Sequence, residues 1–323
     1  MKYPKEMIKG STVGITAVSS GLGNRIEEYE GSLDNISEYY NIIETNNVRN
    51  EGFASSSAED RGKQLNSLFM DKNIDGIFCA AGGGFCLETL DYIDYDAIKN
   101  NPKWILGASD PTSILYSITT KLDIATTYGF NAVSFSGNLH ECHKNCLEIL
   151  QGNLVKQNSY EKYDISKGHA EYILDGDVYW ESNDDVDCTG RIIGGCFDVL
   201  VNLLGTKYDY TKEFLDKYEK DGIIWYLDVF AKSADDFYLG LLQMKMAGWF
   251  RNVKCIIVGR VKYPSSFLEE FDYITALERL NLGIPFIFNS DIGHVFPKMT
   301  IINGSIATIK CSNSKGSIEM ELK

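Results

Sequence analysis

Trp104-Ile105-Leu106-Gly107-Ala108-Ser109-Asp110-Pro111-Thr112 is an apolar run that stops abruptly at a small, polar, proline-containing segment. A short continuous apolar run bounded by turn formers reads as a strand covered on both faces. A proline suits the first turn of a helix, where its missing N–H has no partner to lose. The stretch is therefore a strand over 104–107 passing sharply into a helix over 111–122. Ser109 sits on the turn, and local sequence leaves two readings of it open. It can cap the helix N-terminus with its hydroxyl, for which Ser-Asp-Pro is a common start. It can also be a nucleophile lifted above the sheet on a strand-to-helix elbow, faced by the N–H groups that follow it.

The same alternation extends outward on both sides. Strands are predicted over 13–18, 42–48, 75–81 and 124–128, and helices over 25–40, 58–71, 87–98 and 139–150. Strands separated by helices argue for a parallel sheet covered on both faces, with ligand sites at the carboxyl ends of the strands. The predicted organisation is an N-terminal Rossmann-like domain over 1–150, a polar linker over 151–175 and a C-terminal domain over 176–323. In the last, helical patterns at 196–204, 211–219, 234–247 and 268–281 alternate with strand-like 223–227, 255–258 and 285–288. The chain then changes character. Segments 299–302, 306–309 and 317–322 read as β-hairpins, with Asn303-Gly304 as a two-residue turn signal.

Composition excludes several classes of function. Lys and Arg number 31 against 45 Asp and Glu, a net charge of −14 that repels nucleic acid and anionic lipid. No apolar run approaches the roughly 18 residues of a membrane span. The apolar stretch at 13–18, interrupted by Gly14 and Thr16, is too short for a secretory signal, so a cytoplasmic location is expected. Eight cysteines without a Cys-x-x-Cys spacing suit reduced thiols.

Few residues are placed to carry chemistry. Gly82-Gly83-Gly84 follows a predicted strand, and its backbone is free to approach a ligand and offer N–H groups to an oxyanion. It is equally a plain tight turn, and it is neither a P-loop nor a GxGxxG motif. His294, in the loop after the strand at 285–288, is placed like a site residue, although a structural histidine fits there too. Asp228 ends the apolar strand at 223–227, where a carboxylate could orient a histidine or be simply solvated. His140, Cys142, His143 and Cys146 lie on a helix pattern whose spacing cannot converge on one ion. Cys86 reads as a packing residue.

In order along the chain, these residues and their surroundings resemble the LD-carboxypeptidase family. These serine peptidases include muramoyl-tetrapeptide carboxypeptidases and microcin C self-immunity proteins. The resemblance rests on Gly14-Ile15-Thr16-Ala17-Val18-Ser19-Ser20, Ala58-Glu59-Asp60-Arg61, Gly82-Gly83 and Tyr92-Ile93-Asp94-Tyr95-Asp96. It continues through Gly107-Ala108-Ser109-Asp110, Gly194-Gly195, Ala247-Gly248-Trp249-Phe250, Val258-Gly259-Arg260 and Asp291-Ile292-Gly293-His294.

The resemblance implies an α/β protein with a Rossmann-like N-terminal parallel-sheet domain and a β-rich α/β C-terminal domain, usually as a homodimer. It implies a triad of Ser109 as nucleophile, His294 as base and an acid at Asp228, where the family has glutamate. The aspartate is one methylene shorter, so its carboxylate should stand about 1.3–1.5 Å farther from the imidazole unless the backbone shifts. The oxyanion hole would come from the N–H groups of Gly83 and Asp110. Gly82 and Cys196 would meet substrate, Cys196 standing where the family has asparagine. The implied substrate is a murein tetrapeptide that loses its terminal D-alanine, or an aminoacyl-nucleotide antibiotic. No cofactor and no metal are expected.

Overall fold

The computed structural model describes residues 1–166 and 172–323. Its chain forms two compact units, Met1–Val155 with Thr300–Gly304, and Lys156–Met299 with Ser305–Lys323. His169 lies outside the described residues.

In the first unit the elements run β1 (Thr12–Thr16), α1 (Ile26–Ser37), β2 (Asn41–Glu44), α2 (Ala58–Met70), β3 (Gly76–Cys79), α3 (Cys86–Thr89), α4 (Tyr95–Asn100), β4 (Trp104–Gly107), α5 (Thr112–Leu122), β5 (Thr126–Tyr128) and α6 (Glu141–Leu150). The first five strands pair parallel in the order β5-β4-β3-β1-β2. β3 and β4 are buried at every position, as strands with helices on both faces must be. The chain moves outward in one direction from β1 to β2 and in the other from β3 to β5, so the topological switch lies between β1 and β3. Ser19, Gly82 and Ser109 follow the carboxyl ends of β1, β3 and β4 around that switch.

The single helix expected over 87–98 is two. The Asp94 carboxylate accepts from the Ala97 N–H at 2.8 Å and starts α4 afresh, because a short acceptor side chain competes for backbone donors that a continuous helix would use.

In the second unit the elements are β6 (Gln157–Asn158), β7 (Lys162–Asp164), β8 (Leu174–Asp177), β9 (Glu181–Ser182), β10 (Val186–Cys196), α7 (Phe197–Leu203), α8 (Thr211–Lys217), β11 (Ile223–Asp228), α9 (Ala234–Met246), β12 (Val253–Gly259), α10 (Tyr273–Leu280), β13 (Phe286–Ser290), β15 (Ile306–Ser312) and β16 (Lys315–Glu321), and the intervening β14 (Ile301–Asn303) returns to the first unit. One eight-stranded sheet runs β6-β16-β15-β10-β11-β12-β13-β9. Its centre, β10 to β13, is parallel, and antiparallel strands flank it. The protein is thus an α/β fold of a parallel-sheet unit and a β-rich α/β unit.

Two expectations are corrected here. The segment expected as a linker over 151–175 contains β6 and β7 and the start of β8; β6 extends the large sheet and β7 pairs with β8. Asn303-Gly304 is not a hairpin turn, because β14 leaves its sequence neighbour β15 and pairs antiparallel with β5 in the first unit's sheet. The two-residue hairpin is instead β15–β16, which turns through Asn313 and Ser314 at φ 49° and 60°. Both central residues are left-handed, as a type I′ turn requires.

Serine at the second of those positions carries the strain of a left-handed L-residue, roughly 1–2 kcal/mol. Ser314→Gly is therefore expected to raise stability by about 1 kcal/mol. The urea midpoint is the measurement, and an unchanged or lowered midpoint would contradict the turn geometry.

Candidate functional site

Each unit gathers candidate functional side chains at the carboxyl end of its sheet. In the first unit Ser109 has φ 68°, a left-handed conformation that a serine adopts only under constraint. α5 begins three residues later with Pro111 at its N-cap and no side-chain capping bond, so the capping reading of Ser109 is overturned. The elbow is held from several sides. The Asn131 side-chain amide bonds both backbone groups of Ala108, at 3.0 and 3.1 Å, and the Ser109 N–H donates to the Tyr128 hydroxyl at 3.1 Å.

Asp110 is buried, and its carboxylate accepts from the Ser19 hydroxyl and from the Cys86 N–H at 2.7 Å. Burial pushes its carboxyl above the ordinary range, and the bonds from Ser19 and Cys86 hold it back. The side chain thus ties the elbow to the loops after β1 and β3, while the amide of Asp110 and that of Gly83 donate to no protein acceptor among the described residues. Gly82 is a glycine for a steric reason. A Cβ there would stand 3.0 Å from the Ser109 Cβ and 3.1 Å from its Oγ.

In the second unit Asp228 ends β11, which is buried throughout, and is register partner of Cys196 at the end of the parallel β10. His294 Nδ1 stands 2.9 Å from one Asp228 carboxylate oxygen and 2.8 Å from the other. The shortfall expected from aspartate in place of glutamate is absent. Gly293 explains it: at φ 105°, its backbone passes so close that a Cβ would lie 2.1 Å from Asp228 Oδ1.

That loop is anchored by Asp291, fully buried, which pairs with Arg260 and accepts from Trp180 Nε1 at 2.9 Å and the Tyr160 N–H at 3.1 Å. Burial pulls the Arg260 guanidinium down to about 10, still ionised at neutral pH. The Phe230 ring packs on the His294 imidazole at 4.6 Å, and Asp198 fixes the segment carrying it by accepting from the Phe230 and Ala231 N–H groups at 3.0 Å each.

Family models match both halves of the chain: that of the LD-carboxypeptidase N-terminal domain over residues 13–129, and that of the LD-carboxypeptidase C-terminal domain over 189–309. The chain belongs to the LD-carboxypeptidase family. Among relatives, the Microcin C7 self-immunity protein MccF of Escherichia coli is 25% identical over 289 residues, spanning 82% of this chain and 80% of that protein. Solved structures share the fold, among them the following two. MccF in complex with aspartyl sulfamoyl adenosine superposes with a TM-score of 0.84 at 22% identity, covering 99% of each chain. Muramoyltetrapeptide carboxypeptidase from Oxalobacter formigenes does so with a TM-score of 0.76 at 18% identity, covering 96% of this chain and 98% of its own.

Other candidates turn out to be structural. His140 caps α6: its Nδ1 accepts from the Cys142 N–H at 3.2 Å, and its own N–H donates to His143 Nδ1 at 3.1 Å. His143 is buried against Phe130 and Phe135. Cys86 is fully buried, and burial with the nearby Asp110 pushes its thiol well up, unlike an activated nucleophile. Sequence reading missed Ser19, Asn131, Tyr128 and Phe230. Only Ser19, inside the matched stretch after β1, carried a signal that could have found it.

Gly293→Ala should cost more stability than Gly283→Ala. Gly283, at φ 67° in the left-handed helical region, has nothing within 4 Å of an added Cβ, so it reports only the strain of a left-handed L-residue, roughly 1–2 kcal/mol, to which Gly293 adds a wider φ and the contact with Asp228. Urea midpoints of the two variants check this, and equal losses would mean that the approach to Asp228 is not tight.

Proposed function

We propose that this chain is a serine-type LD-carboxypeptidase that hydrolyses the bond before the terminal D-alanine of murein tetrapeptides. The observation that carries the reading is the left-handed Ser109 on its strand-to-helix elbow, in a family whose members include carboxypeptidases. Ser109 Oγ attacks the carbonyl between the L-configured centre and the terminal D-residue. His294 takes the hydroxyl proton and returns it to the leaving amine, and water then hydrolyses the acyl-enzyme. Asp228 accepts a hydrogen bond from Nδ1–H, fixes the tautomer that leaves Nε2 as the base, and stabilises the imidazolium as it forms. The amides of Gly83 and Asp110 supply the oxyanion hole. Gly82 and Cys196 line the substrate's path. A homodimer acting in the cytoplasm belongs to the same reading.

A second reading has its own support. MccF, similar over most of the chain, is a self-immunity protein, and one of its structures contains aspartyl sulfamoyl adenosine. The same residues would then cleave an aminoacyl-nucleotide amide.

Free D-alanine released from L-Ala-D-Glu-diamino acid-D-Ala distinguishes the two. The parent protein should release it and Ser109→Ala should not; full turnover in that variant would defeat the mechanism. An inert parent that cleaves an aminoacyl sulfamoyl adenosine would transfer the proposal to the second substrate. On whichever substrate turns over, Asp228→Asn should lower kcat by as much as about 10⁴-fold with a smaller change in KM, because the imidazole loses its preferred tautomer.

A further inference from the structure

Cys196 stands beside the Asp228–His294 pair and has no part in the proton transfers proposed for it. The two parallel strand ends place its sulfur next to Asp228, and His294 reaches both from the loop after β13. The Cys196 sulfur, an Asp228 carboxylate oxygen and a His294 ring nitrogen all lie within 4.8 Å of one another. A tetrahedral zinc ion bound at 2.0–2.3 Å holds such atoms about 3.3–3.5 Å apart, so the imidazole and carboxylate, in contact at 2.8–2.9 Å, would open by about half an ångström and the longer separations close by roughly 1 Å at most. Thiolate, carboxylate and imidazole on one side with an open fourth position is a donor set that zinc-class ions take and hard ions such as Mg²⁺ do not.

We propose that Cys196, Asp228 and His294 form a three-ligand site for a thiophilic divalent cation of the zinc class, with solvent in the fourth position. The cation enters hydrated, a sulfur–metal bond forms as the thiol proton leaves to water, and no electron is exchanged. The surroundings favour that exchange. Burial and the carboxylates of Asp228 and Asp198 keep the thiol protonated, and a dication reverses the sign of both carboxylate interactions. The Phe230 ring against the imidazole supplies an apolar wall. A second consequence rests on the function proposed above: the cation occupies the imidazole and draws Asp228 away from tautomer control, so its binding silences hydrolysis.

The test is a titration of the EDTA-treated full chain with Cd²⁺, read by thiolate-to-cadmium absorption in the near ultraviolet, with Zn²⁺ as competitor and Mg²⁺ as control. One equivalent of Cd²⁺ should saturate the signal, Zn²⁺ should displace it and Mg²⁺ should not. Cys196→Ser should abolish it, and His294→Ala, which removes the half-buried ligand, should weaken Cd²⁺ binding at least about tenfold. Cys188→Ser should leave it intact; Cys188 is the single cysteine among the described residues that is not buried. Absence of the signal, its persistence in Cys196→Ser, or unchanged affinity in His294→Ala would overturn the site. A chain that binds Cd²⁺ through Cys196 yet hydrolyses no LD-peptide upholds the site and sinks the carboxypeptidase reading. A chain that hydrolyses the peptide and binds no Cd²⁺ does the reverse.

Discussion

A carboxylate taken out of water must find partners or lose its charge, and in this protein that constraint fixes the loops at the carboxyl ends of both sheets. Asp110, Asp228 and Asp291 are all buried. Each spends its oxygens on groups from distant parts of the chain: Asp110 on Ser19 and the Cys86 N–H, Asp228 on His294, and Asp291 on Arg260, Trp180 and the Tyr160 N–H. Loops that would otherwise vary are held to the strand ends by charge-assisted bonds, which are about twice as strong as neutral ones. The elbow serine and the imidazole inherit their positions from these ties.

Much of this was legible in the sequence. The strand-helix alternation around Trp104–Gly107 predicted the parallel sheet, and Ser109, Asp228 and His294 were each singled out as strand-end residues before any geometry was known. The failures have physical causes. β10 was missed because its two halves obey different rules: the first, antiparallel to β15, is partly open, whereas from Gly190 onward it is buried on both faces, so no single period runs through Val186–Cys196. Asn303-Gly304 carried a strong local turn signal that a long-range pairing overrode. Nor could local sequence decide between cap and nucleophile at Ser109, since both begin a helix with the same residues. The positive φ excludes the cap, and packing from Asn131 and Tyr128 holds it.

The contact between Asp228 and His294 depends on both of its partners. Side-chain length alone predicted a gap between Asp228 and His294, whereas the two are in contact and the backbone at Gly293 lies close against Asp228. A substitution that departs from a family's pattern is therefore to be judged with the residues packed against it, because the distance that matters is set by both partners. Cys196 stands in the same relation to Asp228, as its neighbour across two parallel strands.

The strand Ile301–Asn303 completes the first unit's sheet although it is drawn from near the end of the chain. Until residue 303 of 323 has been made, β5 remains a bare edge with unpaired donors and acceptors, a template for wrong partners. The first unit cannot reach its final form during early synthesis on the ribosome, however complete its helices and first five strands are. Its closure is one of the longest-range contacts in the molecule, which makes the folding of the nominally N-terminal half a late event.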